Sequence, residues 1–172
     1  VAPHGLEELI DRIQAEQGIT YAPQQRQAVE LAATSQVMLL TGGPGTGKTT
    51  SLRGVLALFD ALGLETALAA PTGRAAKRLG GLCGAEGTTI HRLLETQYDP
   101  HSGRLVFAHD ESDPLKADTV IVDETSMVDI TLMHGLLSAL RPECRLILVG
   151  DPDQLPSVGP GNLFSDLIRS GV

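Results

Sequence analysis

The sequence predicts an α/β domain, a parallel sheet covered by helices on both faces with one small β-hairpin inserted. Three observations carry this. Four apolar runs, the first over Gln36 to Leu40 and the others "ETALAAP", "TVIVDE" and "RLILVGD", alternate with helical patterns. Strands of a parallel sheet buried on both faces read as nearly continuous apolar runs of this kind. A glycine-rich turn joins the first run to a helix, and a single segment, "ETQYDPHSGRLVFAHDESDPLKAD", breaks the alternation.

Gly5 to Gln17 reads as the first helix, with Leu6, Leu9, Ile10 and Ile13 on one face. Pro23 opens a second helix, "PQQRQAVELAAT", at a position where its missing N–H costs nothing. After the first strand, Thr49 to Leu62 is a helix striped by Leu52, Val55, Leu56, Phe59 and Leu62, and Gly63 closes it. "GRAAKRLGG" and "TTIHRLLE" read as two short helices, the second with Thr88 as its N-cap. "DITLMHGLLSAL" and "NLFSDLIRSG" are the remaining helices. In the segment that breaks the pattern, the turn "DPHSG" lies between two strand-like pieces, so a hairpin is expected at about 96–110, with a surface loop as the alternative.

Composition narrows the function. Hydrophobic residues make up 42% of the chain, too many for a disordered protein, and no apolar run approaches the roughly 18 residues of a membrane span. No signal-peptide pattern is visible, and the first residue is not methionine, so an excised or processed piece is expected. Two distant cysteines, Cys83 and Cys144, fit a reducing cytoplasm, and the five histidines show no metal-ligand spacing. A formal charge of −8 excludes binding driven by broad phosphate neutralisation, so any contact with DNA must use a localised groove. Aromatic residues, at 3%, are too few for a wide base-stacking platform.

The chemistry begins in "MLLTGGPGTGKTTSLRGVLALF". Gly42, Gly47, Lys48 and Thr49 satisfy G-x-x-x-x-G-K-[ST] between a strand and a helix, the context that gives the pattern meaning. Glycines let successive N–H groups turn inward toward phosphate oxygens, and the helix start adds its dipole to the same anion. The cradle would run through Gly43, Pro44, Gly45, Thr46, Gly47, Lys48, Thr49 and Thr50, with Pro44 stiffening it. Lys48 would reach the β- and γ-phosphates of ATP, and the Thr49 hydroxyl would sit on Mg²⁺.

A bound triphosphate also needs a metal carboxylate and a group that orients water. "TVIVDE" supplies both at the C-terminal end of a buried strand, where open α/β sheets bind ligands. Asp123 would hold the Mg²⁺ shell, and Glu124 would act as general base. "GDPDQLPSVGPG" then holds Gln154 near another strand end, where it would sense the γ-phosphate. The alternative for the acidic pair is a strand ending in a solvated acidic turn, and alone the glutamine segment reads equally as an ordinary turn.

Together with "QQRQAV", "AAPTGRAAKRL", "TTIHRLLE" and "VIVDETSMVD", these motifs resemble superfamily-one helicases, most closely the RecD-like 5′→3′ branch, over roughly Tyr21 to Gly171. The resemblance implies a RecA-like P-loop NTPase core over 19–172, with 1–18 as the tail of an upstream domain or a linker. It implies that Gln25 recognises the adenine edge, with Ala28 keeping its helix close. Pro71, Thr72, Gly73 and Arg74 would grip the backbone of single-stranded DNA, and Thr89 and His91 would form a second DNA contact. Without the resemblance, His91 reads as a helix-face residue packed near Leu93, and Arg74 and Lys77 as a solvated helix face. The inserted hairpin, Gln97 to Phe107, would be a pin at the duplex junction. Tyr98 and Phe107 would either meet the last base pair or hold the hairpin to its own domain.

The resemblance further implies a second RecA-like domain carrying the arginines that stabilise the transferring phosphoryl group, whose motifs are not in this sequence. Without them turnover would be slower by about 10³–10⁵. The expected function is ATP-driven translocation on single-stranded DNA and duplex unwinding in repair or recombination, alone or with partners of a nuclease complex. The alternatives are another P-loop ATPase acting on DNA and a nucleotide-dependent binding module without turnover.

Overall fold

The computed structural model describes residues 5–41 and 48–150. The elements run α1 (Leu6–Gln17), α2 (Pro23–Thr34), β1 (Val37–Thr41), α3 (Lys48–Ala61), β2 (Thr66–Ala70), α4 (Gly73–Cys83), β3 (Gly87–Thr89), α5 (Ile90–Leu93), β4 (Thr96–Asp99), β5 (Arg104–Phe107), β6 (Thr119–Val122), a 3₁₀ turn (Thr125–Met127), α6 (Ile130–Ala139) and β7 (Arg145–Gly150). Five strands form one sheet in the order β1-β7-β6-β2-β3, and every neighbouring pair is parallel.

The apolar runs explain this order. All four residues of β6 are buried, as are five of the six in β7, so these strands occupy the sheet interior. Their side chains alternate between two cores, as the period of two along a strand requires. Ile121, Ile147 and Val149 join Leu52, Val55, Leu58 and Phe59 of α3 on one face. Val120, Val122, Leu146 and Leu148 join Leu132, Met133 and Leu136 of α6 on the other. Within α3, Leu58 is fully buried while Leu56 and Leu62 are only partly covered. The buried stripe is therefore rotated from the expected one, because α3 is covered by α1 and α2 as well as by the sheet. Residues 1–18, expected to be a tail or linker, contribute α1, whose Ile10 and Ile13 are buried in the same core.

Gly63 ends α3 as expected: at φ 74° it lets its own N–H bond Asp60 O and that of Leu64 bond Phe59 O. Two expectations need correction. Among the described residues the sheet has five strands rather than four, because Gly87–Thr89 pairs with Leu68–Ala70 as a short parallel edge strand. Consequently Thr88 lies within β3 and does not cap α5. Thr89 caps it instead, its hydroxyl oxygen accepting from Arg92 N–H at 3.1 Å.

The hairpin forms as the turn signal predicted. β4 and β5 pair antiparallel, Thr96 opposite Phe107 and Asp99 opposite Arg104. Gly103 adopts φ 69° and donates to Asp99 O, while Asp99 Oδ1 accepts from His101 N–H at 3.0 Å. The glycine-rich loop from Gly42 to Gly47, Gln154 and the helix expected over "NLFSDLIRSG" lie outside the described residues.

Candidate functional site

In a parallel sheet all strands end on one edge, and here that edge collects the predicted motifs. Thr41 is in register with Gly150, Leu148 with Val122, Val122 with Ala69, and Ala70 with Thr89. The Asp123–Glu124 pair, the loop Pro71–Arg74 and the Thr89–His91 turn therefore succeed neighbouring strand ends. Asp123 and Glu124 stand between the two halves, with the start of α3 and Gly150 on one side and the loops after β2 and β3 on the other.

Asp123 closes β6. Its N–H donates to Ala69 O at 2.9 Å, continuing the sheet by one bond, and its Oδ1 accepts from Glu124 N–H at 2.8 Å. Glu124 then turns the chain with φ 53°, a left-handed conformation that costs a non-glycine residue about 1–2 kcal/mol. The 3₁₀ turn anchors the chain just beyond the pair: Thr125 is fully buried, its hydroxyl donates to Val122 O at 3.1 Å, and Ser126 is buried beside it. Both carboxylates are half-buried at the strand end rather than dispersed in a loop.

On the other side, Thr72 caps α4, its hydroxyl oxygen accepting from Ala75 N–H at 3.2 Å. Gly73 and Arg74 are exposed just beyond. The hydroxyls of both Thr72 and Thr89 thus have cap partners, which leaves each one acceptor lone pair and its proton for a further contact. His91 is exposed on α5, so packing near Leu93 does not bury it. Two clefts open here. One, of about 340 Å³, lies between α4 and β3 and is lined by Gly73, Lys77, Thr89 and Arg92 among others. The second, of about 520 Å³, is lined by Thr72, Arg74, Lys77, Arg78, Glu124 and Met127 among others. Although the chain is acidic overall, the second cleft carries three cations against one carboxylate.

Arg78 also lines the second cleft; it lies within "AAPTGRAAKRL", but that motif gave it no role. It lies one turn beyond Arg74 on α4 and forms an ion pair with Glu124 Oε1. The i, i+4 spacing from Arg74 was the available signal. The Gln25 side chain helps cap α2, its Oε1 accepting from Ala22 N–H at 2.9 Å. Lys48 and Thr49 begin α3, and Thr50 is half-buried on it. Among the described residues no cluster of three or more metal-binding side chains occurs, and no helix is long and apolar enough to cross a membrane.

A sequence profile of the AAA domain family matches residues 25–160. The chain belongs to that family. Among curated relatives, the RecBCD enzyme subunit RecD of Mycolicibacterium smegmatis is 43% identical over 169 residues, 85% of this chain and 30% of that protein. The ATP-dependent RecD2 DNA helicase of Deinococcus radiodurans is 46% identical over 138 residues, 80% of this chain and 18% of that protein. The chain thus spans under a third of the length of these curated relatives. A solved structure of two coordinating Pif1 helicases at forked double-stranded DNA matches 88% of this chain and 38% of its own, with TM-score 0.61 and 23% identity. That likeness shows a shared fold, the parallel sheet flanked by helices expected of a RecA-like domain.

Proposed function

We propose that this AAA domain is the first motor domain of an ATP-dependent DNA helicase. The observation that carries the reading is the single edge on which Asp123 and Glu124 stand between the start of α3 and the basic clefts of α4 and β3. The RecD and RecD2 relatives support the same reading.

The residues fit the chemistry. A half-buried carboxylate ending a strand beside a helix start suits a triphosphate with its metal, and Asp123 and Thr49 would hold Mg²⁺. Bound Mg²⁺ neutralises charge on the β- and γ-phosphates. The cradle from Gly43 to Thr50, with Lys48, binds the phosphates of ATP, and Gln25 faces the base through its amide. Glu124 takes the proton of the attacking water, and Gln154 senses the γ-phosphate. Pro71, Thr72, Gly73, Arg74, Thr89 and His91 grip the sugar-phosphate backbone of single-stranded DNA. A second RecA-like domain closes on this one when ATP is bound, and alternating grip moves the strand, in the 5′→3′ direction by likeness to the RecD branch. The hairpin serves as the pin at the junction, in repair or recombination, alone or within a nuclease complex.

The test is Lys48→Ala in the intact polypeptide that carries this domain. ATPase and unwinding are both expected to vanish, and unwinding that survives would overturn the motor reading. Single-stranded DNA is expected to stimulate the wild-type ATPase. Its failure to do so would instead favour an ATPase with a different task.

A further inference from the structure

The carboxylate proposed to activate water is not free to do so in this structure. Arg78 reaches it from α4, and both residues line the same cleft. The Glu124 side chain is 12% exposed and that of Arg78 is 59% exposed, so one partner is set into the domain and the other stands in solvent. The backbone of Glu124 is already committed, since its N–H donates to Asp123 Oδ1 and its φ is 53°. The ion pair therefore fixes the remaining freedom of the residue, the direction of its carboxylate.

The same cleft holds two more cations, Arg74 and Lys77, on the helix that begins with the strand-gripping loop. Three cations and one carboxylate leave the cleft with a surplus of positive charge facing solvent. A polyanion entering it meets all three cations, and a phosphate diester competes directly with Glu124 for the Arg78 guanidinium. The planar fork of arginine favours a phosphate with two parallel N–H donors over the single contact made with Glu124.

We propose that Arg78 is a positioning residue that couples strand binding to hydrolysis: it holds Glu124 turned toward α4 until the backbone of a nucleic-acid strand draws the guanidinium away. The proposal rests on the reading of Glu124 as general base. It makes DNA stimulation of the ATPase a property of one exchangeable contact.

The experiment measures ATP turnover of the intact polypeptide with and without saturating single-stranded DNA, for Arg78→Ala, Arg78→Lys and Glu124→Gln. In Arg78→Ala, DNA-free kcat is expected to rise by about fivefold, the factor carried by the stronger partly exposed ion pairs. The stimulation ratio falls by the same factor, and KM for ATP is unchanged. Arg78→Lys keeps a single charge–charge contact and is expected to lie between Arg78→Ala and wild type. Arg78 is largely exposed, so neither variant is expected to disturb folding. An arginine that only contacts DNA would weaken strand affinity and leave DNA-free kcat at the wild-type value; that result would overturn the coupling. A fall in DNA-free kcat would overturn it as well. Turnover retained in Glu124→Gln would overturn the base assignment and the coupling together. Loss of turnover in Glu124→Gln with unchanged DNA-free kcat in Arg78→Ala would overturn the coupling alone.

Discussion

Phe107 lays its ring against Gly135 of α6 so closely that a Cβ at that glycine would fall 2.5 Å from Phe107 Cε2. The ring also packs on the core formed by α6 and the sheet. This separates two readings of the hairpin aromatics: Phe107 holds β5 to its own domain, while Tyr98 is 66% exposed on β4. Gly135→Ala is expected to push the ring off its seat, at a cost of about 1–3 kcal/mol from overpacking. Thermal unfolding measures the cost. Because the disturbance is at the hairpin root, duplex unwinding is expected to drop more than DNA-stimulated ATPase.

Tyr98→Ala tests the pin from its exposed side. A side chain in solvent contributes little to folding, so stability is expected to change by no more than about 0.5 kcal/mol. Removing the aromatic surface is expected to slow separation of a forked duplex while ATPase stimulated by single-stranded DNA stays at the wild-type level. Equal losses in both assays would count against a pin.

Much of this organisation was legible in the sequence because burial leaves a pattern. Val120–Val122 of β6 and Leu146–Val149 of β7 are unbroken apolar runs since both faces are covered, and "DPHSG" read as a turn between two strand-like runs. β3 was missed because three residues, Gly87–Thr89, are too few to show a period, and what makes them a strand is pairing with β2. The cap moved from Thr88 to Thr89 for the same reason. The Arg78–Glu124 pair joins residues 46 apart in the chain, and no local rule connects them. Gln25 illustrates a different limit, since a glutamine three residues after a helix start has a capping role that spacing alone does not rank against ligand binding.

Gly54 sits where α3 crosses α2. A Cβ there would lie 2.7 Å from Tyr21 Oη and 2.9 Å from Val29 Cγ2. Tyr21 cannot simply withdraw, because it is buried and its hydroxyl donates to Gln17 Oε1 at 2.7 Å, tying α1 to this contact. Helix propensity favours alanine over glycine by about 1 kcal/mol, but overpacking of a fixed neighbour costs about 1–3 kcal/mol. The net effect of Gly54→Ala is therefore expected to be destabilising, seen as a lower Tm. A Tm equal to or above wild type would show that Tyr21 yields more easily than its hydrogen bond implies.

Asp118 provides a pH-dependent contribution at the opposite edge of the sheet. Its carboxylate accepts from Glu65 N–H at 2.9 Å and from Arg141 Nη2 at 2.8 Å, joining the starts of β2 and β6 to the loop before β7. These contacts, the backbone donor foremost and the guanidinium next, hold its carboxyl below the usual aspartate range. A group whose pKa is depressed by folding stabilises the fold above its unfolded value of about 3.9 and loses that contribution as pH falls through the lower, folded value. Wild-type stability is therefore expected to decline with acidification across this window. Asp118→Asn should start less stable at neutral pH and decline less, so that the two curves approach one another in acid. Urea midpoints followed from pH 7 to below the aspartate range check this, and parallel curves would remove Asp118 from the account of acid sensitivity.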